Sequence, residues 1–544
     1  MHALHQNYSA NALAGRPRRR RKNSPVFPSV NPMSNTHPHV RNVLYIMCDQ
    51  LRRDYLSCYG HPHLHTPNID RLAAAGVRFS RAYTQGTICG PSRMSAYTGR
   101  YVSSHQVAWN AVPLPLEELT LGDYLRPYGI RTALVGKTHA TPNVEALQRL
   151  NIDPDSEQAE PLNEVGFEAY LRHDGIYPDS PLFDEKRESA PYTHYLREQG
   201  FDGRNPWHDW ANAAEGENGE ILSGWKMRHA NLPARIPEQH SETVYTTNRA
   251  IDFITEQGEK SWCLHLSYIK PHWPYIVSAP YHALYSTKSI LEAIRATPSE
   301  ASKHPVYTAF RQHEESLNFS RDSVRLTVIP TYMGLIKQVD DQLGRLFDFL
   351  QSNGRWDDTL IVFTSDHGDL LGDRGLMFKG GLHYGGLTRV PFIWSDPATS
   401  GSSASHVPRE TPALAQTMDI AATVLARAGL EPAHGMQGQS LLPLVSGQAD
   451  ALRSSVLIEE EGQRLDFGLG QRIRMRTLRT CDHRLTIYDG QPWGELCDLR
   501  SDPLELRNLW NDPASQALRS QLMAELAYAM LQQTNTSPYP LASA

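Results

Sequence analysis

The residue in this sequence best suited to covalent chemistry is a cysteine at the head of a helix. Cys89-Gly90-Pro91-Ser92-Arg93 sets up a helix start at Cys89, with Pro91 fitted to the opening turn and Ser92 and Arg93 carried into it. Unpaired N–H groups and the positive end of the helix dipole make such a start a seat for an anion beside a nucleophile. Arg93, about one turn on, is able to hold that anion or a nearby carboxylate. Spacing alone leaves a second reading open, a buried structural cysteine ahead of a helix.

Two polar pairs elsewhere could hold a cation. Asp49-Gln50 closes the apolar run Asn42 to Cys48, and Asp366-His367 closes Thr359 to Thr364. Together they offer hard oxygen ligands and one imidazole, a set suited to Ca²⁺, Mg²⁺ or Mn²⁺, with the histidine favouring Mn²⁺. Each pair alone has a plainer reading, an acid capping a helix or an Asp-His-Gly turn. Both pairs end strong apolar strands, where open α/β sheets bind ligands, and this favours a metal site.

The elements that must position these residues follow from the hydrophobic pattern. Continuous apolar runs at Asn42 to Cys48, Thr132 to Val135, Trp262 to Tyr268, Thr359 to Thr364 and Val390 to Trp394 are expected as buried, mostly parallel strands. Helices are expected over residues 66–76, from Cys89, and over 121–128, 244–257, 332–353 and 417–428. Residues 140–240, rich in Pro, Asp, Asn and Trp, are expected as long site loops with short helices. The fold class that results is α/β, a large mixed and mostly parallel sheet between helices, with a smaller C-terminal α+β domain. The expected divisions are a disordered basic arm over 1–40, a catalytic domain over 41–438, a small domain over 439–530 containing strands near 456–458 and 485–488, and a tail over 531–544.

Composition narrows the function. The 544 residues include 53 Lys plus Arg against 59 Asp plus Glu, a net charge of −6, so no global basic field speaks for nucleic acid. The basic knot Arg16 to Lys22 leaves nucleic-acid or acidic-surface binding as a minor alternative. The 6 cysteines are scattered without CxxC spacing, which argues against a disulfide scaffold; Cys48 and Cys263 fall in apolar runs as core residues. No apolar run approaches the ~20 residues that span a bilayer, and no signal-peptide segment opens the chain, so a cytoplasmic location is expected.

Cys-x-Pro-Ser-Arg followed by Thr98-Gly99 resembles the maturation signature of type I sulfatases and of the similar phosphonate monoester hydrolases in the alkaline phosphatase superfamily. The likeness runs over residues 41–510. Asn110 in Trp109-Asn110-Ala111-Val112-Pro113, Ser278-Ala279-Pro280-Tyr281-His282 and Trp356-Asp357-Asp358-Thr359 look like the phosphonate branch, whereas Lys137-Thr138-His139 is the sulfatase pattern. The resemblance implies that Cys89 is oxidised to formylglycine by a formylglycine-generating enzyme. It further implies one divalent metal on Asp49, Gln50, residue 89, Asp366 and His367. Asn110, Lys137, His272 and Lys379 would bind the substrate, and Arg93, His139 and His272 would join residue 89 in catalysis. Expected substrates are small sulfate monoesters, with phosphonate monoesters or phosphodiesters as the alternative; a homo-oligomer, by analogy a tetramer, is also implied. A different class of function, anion or partner binding by an unmodified Cys89, stays open at this point. So do the plainer readings of a satisfied histidine and a solvated Lys379.

Overall fold

The computed structural model describes residues 41–175, 190–295, 304–397, 409–432, 435–462, 469 and 472–535. The basic arm expected over 1–40 lies outside them, as does most of the tail.

The apolar runs become the centre of a nine-stranded sheet. Its strands in chain order are β1 (Asn42–Asp49), β2 (Val77–Tyr83), β3 (Arg131–Gly136) and β4 (Glu168–Arg172), then, after a separate ribbon of β5 (Ala213–Glu215) and β6 (Ile221–Ser223), β7 (Trp262–Pro271), β8 (Thr359–Ser365), β9 (Arg389–Val390), β10 (Phe392–Ser395) and β11 (Arg409–Gln416). The spatial order is β11-β2-β10-β8-β1-β7-β3-β4, with β9 on β2. Pairing is parallel along β8-β1-β7-β3-β4 and between β11 and β2; β10 and β9 run antiparallel to their neighbours.

Both faces of this sheet are covered, which is why the central strands read as unbroken apolar runs. With a side-chain period of two, Leu44, Ile46 and Cys48 of β1 enter one core with Leu264, Leu266, Ile361 and Phe363. Tyr45 and Met47 enter the other with Cys263, Leu360 and Val362. The first core is roofed by the helices Glu242–Gln257 and Asp322–Ser352, the second by the helices Cys89–Thr98 and Asp419–Arg427. A second, four-stranded antiparallel sheet of β12 (Ser455–Glu461), β13 (Arg474–Thr480), β14 (His483–Tyr488) and β15 (Gly494–Asp498) packs with the helix Gln516–Gln532 as a smaller C-terminal module. Cys48 and Cys263 are buried in the core, as expected, and the cysteines are free thiols. Among the described residues no helix is long and apolar enough to cross a membrane.

Several expectations are corrected. The helix expected over 332–353 begins at Asp322 and passes through Pro330, a residue that normally ends a helix; burial of Ile329, Pro330 and Thr331 offsets the missing hydrogen bond. The strand expected over 390–394 is cut at Pro391 into β9 and β10, because proline offers no N–H to the ladder. The helix expected over 121–128 is α-helical only to Leu125 and closes as a 3₁₀ turn through Pro127. Strands β2, β4 and β11 were not anticipated. Two of them, β11 and β4, are the outer strands of the sheet, where mixed polar sequence and Pro412 are tolerated, and β4 falls inside the stretch read as loops.

One glycine sets the path from β3 into the site. Gly136 has φ +112°, and a Cβ there would stand 1.9 Å from the carbonyl oxygen of Ser267 on β7. Gly136→Ala is expected to cost ~2–4 kcal/mol through left-handed strain and backbone displacement, read as a lower urea midpoint. An unchanged midpoint would mean that this close approach is absent in solution.

Candidate active site

The four central strands β8, β1, β7 and β3 end at one level: Asp49 pairs in register with Pro271, Cys48 with Ser365, and Gly136 with Ser267. Just past those ends come Asp366-His367, Gln50, His272 and Lys137, so residues far apart in sequence share one rim. The helix Cys89–Thr98 points its first turn at that rim. Ile88 is extended and supplies no side-chain cap, and the Gly90 N–H is instead taken by Asn110 Oδ1 at 2.8 Å.

Arg93 joins the strand ends. Its Nε donates to Asp366 Oδ2 at 2.9 Å, Nη1 to the Lys137 carbonyl at 2.9 Å and to Ser267 Oγ at 2.8 Å, and Nη2 approaches Asp49 Oδ2 at 3.4 Å. The side chain is fully buried. Of the two roles left open by the sequence, it takes the carboxylate one. Arg93 is expected among the catalytic residues; in the structure its donors go to the carboxylates, a serine hydroxyl and the backbone behind the rim.

Cys89, 1% exposed, sits at the focus. Its Sγ lies 2.8 Å from Lys379 Nζ, 3.2 Å from His367 Nε2 and 3.7 Å from Asp49 Oδ1. Burial opposes the thiolate, but Lys379, Lys137 and His367 outweigh it, and the thiol is held well below its ordinary pKa. Asp49 is held low in the same way: burial and the Cys89 sulfur oppose ionisation, while Lys137, His272 and Lys379 prevail. Lys137 Nζ contacts Asp49 Oδ2 directly.

Ligand atoms of Asp49, Cys89, Asp366 and His367 all lie within 4.8 Å of one another, all buried. His367 Nδ1 donates to the Gly368 carbonyl at 2.8 Å and Nε2 faces the cluster, the orientation in which a metal-ligating imidazole would present Nε2. Asp366 Oδ1 is oriented by the N–H groups of Gln50 and His367 at 3.0 and 2.9 Å. The donor set therefore fits a hard divalent cation; the Cys89 sulfur stands where a hydroxyl oxygen would be after oxidation to formylglycine.

Gln50, expected among the ligands, is oriented by a residue that was not singled out as a site residue from the sequence. Its Nε2 bonds Asp369 Oδ2, which also accepts from Tyr275 O–H at 2.9 Å, so Oε1 is turned toward Lys379 Nζ, 3.3 Å away. Asp369 Oδ1 accepts the Phe378 N–H at 3.1 Å, next to Lys379 itself. Only the short spacing to Asp366 hinted at this. Asp369→Asn removes the acceptor that orients the amide and is expected to weaken Mn²⁺ binding ~10–100-fold, read by calorimetric titration of metal-free protein. An unchanged Kd would exclude Gln50 from the ligand set.

The remaining expected residues converge as well. Lys379 Nζ is 3.3 Å from His272 Nε2, and His272 Nδ1 is held by the Trp273 carbonyl at 2.5 Å. His139 adopts φ +59°, its N–H and that of Thr138 both held by Asp174 Oδ1 at 3.2 and 3.0 Å; its side chain helps to lower the thiol pKa. Asn110 lines the cavity of about 300 Å³ that opens from Gln50, His272 and Lys379. Lys379 is thus part of the centre and not a solvated charge.

The sulfatase family profile matches residues 41–430, and that of the C-terminal region of N-sulphoglucosamine sulphohydrolase matches 375–532. A multifunctional alkaline phosphatase superfamily protein of Trinickia caryophylli is 31% identical over 506 residues, covering 88% of this chain and 93% of that protein. Phosphonate monoester hydrolases of Silicibacter pomeroyi and Agrobacterium radiobacter superpose with TM-scores of 0.77 and 0.76, each 26% identical over 91% of this chain and 96% of theirs.

Proposed function

Because this chain belongs to the sulfatase family, a branch of the alkaline phosphatase superfamily of hydrolases, we propose that it hydrolyses small sulfate monoesters with a formylglycine made from Cys89. The observation that carries this reading is the joint delivery of Lys137 and His139 from the end of β3 to residue 89. A lysine against Asp49 crowds the oxyanion end of the site, which suits a sulfate group carrying a single substituent.

A divalent cation on Asp49, Gln50, residue 89, Asp366 and His367 would lower the pKa of the attacking hydroxyl and neutralise charge on an ester oxygen. Lys137 and Lys379 hold the oxyanion as compact charges. Lys379 and His272 share the proton that goes to the departing alcohol oxygen, since Nζ already faces Nε2. His139, whose ring acts on residue 89, takes the proton whose removal frees sulfate from it. Arg93 and Asp369 keep the carboxylates and Gln50 in place.

The test compares kcat/KM for an aryl sulfate, an aryl phosphonate monoester and an aryl phosphodiester on metal-loaded protein co-expressed with its maturation enzyme. Sulfate is expected to lead by about tenfold or more, and Lys137→Ala to lower the sulfate value by ~10²-fold or more. A phosphorus preference would overturn the reading. It would favour the second one, phosphonate monoester or phosphodiester hydrolysis, which the likeness to phosphonate monoester hydrolases supports.

A further inference from the structure

Away from the reacting centre the cavity changes chemistry. Trp109, Trp225, Trp273 and Phe378 line it together with Glu315 and Glu460. Trp273 forms the corner, its ring centroid 4.4 Å from that of Trp225 at 86° and 5.3 Å from that of Phe378. The rings thus face more than one direction and can surround a rounded group.

The charge in this outer part is negative. Among the described residues Lys379 is the one lysine or arginine in the lining, and it is committed to Cys89, His367 and His272. Glu460 comes from β12 of the C-terminal module, is 3% exposed, and accepts from Thr87 Oγ1 at 2.6 Å. His383 Nε2 stands 3.9 Å from it, in a buried site that lowers the imidazole's pKa. Glu315 lies against His313, which also lines the cavity.

A leaving group bearing a carboxylate would meet like charge from Glu315 and Glu460. A neutral aryl group would satisfy the rings and offer nothing to the carboxylates. A compact organic cation satisfies rings and carboxylates together.

We propose that this cavity binds the departing alcohol through an organic ammonium group, so that the preferred ester carries the reacting anion at one end and a quaternary or protonated amine at the other. The inference rests on the hydrolase reading of the centre and names the substrate class for it. It also gives the C-terminal module a part in recognition, through Glu460.

The experiment uses three phenyl sulfates that carry, through one methylene, a trimethylammonium group, its neutral tert-butyl counterpart or a carboxylate. The cationic phenol is the better leaving group, so the change of the ratio between wild type and variants carries the test. In the wild-type enzyme kcat/KM for the cation is expected to exceed that for the neutral ester by about tenfold, mostly through KM, with the carboxylate below both. Glu315→Gln and Glu460→Gln are each expected to lower the cation-to-neutral ratio about threefold or more, and a ratio cancels any general loss of activity. A neutral ester as good as the cation, or a ratio unmoved in both variants, would overturn the proposal. If the sulfates are inert and the matching phosphonates react, the sulfate reading fails alone and the same ratio is read on phosphonates. If neither series reacts, saturable quenching of tryptophan fluorescence by tetramethylammonium, weakened in Glu315→Gln, supports the cavity's role, and its absence overturns it.

Discussion

Cys89→Ala removes turnover: kcat is expected to fall by at least about a thousandfold on every ester that the wild-type enzyme accepts. Residue 89 touches Lys379, His367 and Asp49 at once, so no neighbouring side chain is placed to replace it. Ser92, one turn further along the helix, is tied to Thr84 and to the Asp366 carbonyl at 2.6 and 2.5 Å and lies behind the rim. Mass spectrometry of the residue-89 peptide in active wild-type protein should show the thiol and one hydrogen exchanged for a carbonyl oxygen. Retained activity in Cys89→Ala, or full activity in protein with an intact thiol, would overturn the mechanism. The second outcome would revive a role for Cys89 itself as nucleophile or as a plain binding residue.

Arg93→Met is expected to cost ~3–5 kcal/mol of stability, among the largest effects of any single substitution in this chain. The guanidinium is fully buried and faces the fully buried carboxylates of Asp49 and Asp366. Removing it leaves the second of these with only backbone donors and adds repulsion between the two. Lys137 still pairs Asp49, and Asp366 keeps the N–H groups of Gln50 and His367, which places the expected loss toward the lower end of that range. The measurement is urea unfolding of metal-free protein, so that a bound cation does not mask the loss by linkage. A midpoint equal to that of wild type would mean that the two carboxylates are not jointly ionised in the fold. Activity should fall as well, because four strand ends lose their common partner.

How much of this was legible beforehand depends on how local the cause is. The start of the helix at Cys89 was, since Pro91 and the polar turn act within a few residues. So were β1, β7 and β8, whose apolar character reflects burial on both faces. Outer strands β4 and β11 were not, because at the edge of a sheet the neighbours, not the sequence, decide the conformation. Pro330 misled for a related reason, as its cost is met by packing contributed from elsewhere in the chain. Among the site residues, Asp49, Gln50, Cys89, Lys137, His139, His272, Asp366, His367 and Lys379 were named from strand ends and from the family likeness. The structure brings these nine to one rim.

The sequence by itself determined the chemical types at hand: a cysteine at a helix start, hard ligands after apolar strands, lysines and histidines in polar turns. These depend on residue identity and on short-range backbone preference. Only the tertiary structure decided which of them meet and what each does there. Strands β8, β1, β7 and β3 lie side by side with their carboxyl ends level, so residues hundreds of positions apart come within hydrogen-bond reach. That neighbourhood turned Arg93 toward carboxylates, gave Asp369 its hold on Gln50, and set Glu460 of the C-terminal module among the tryptophans of the cavity. Pairing and packing between distant segments are free-energy differences summed over the whole chain, and no local stretch carries them.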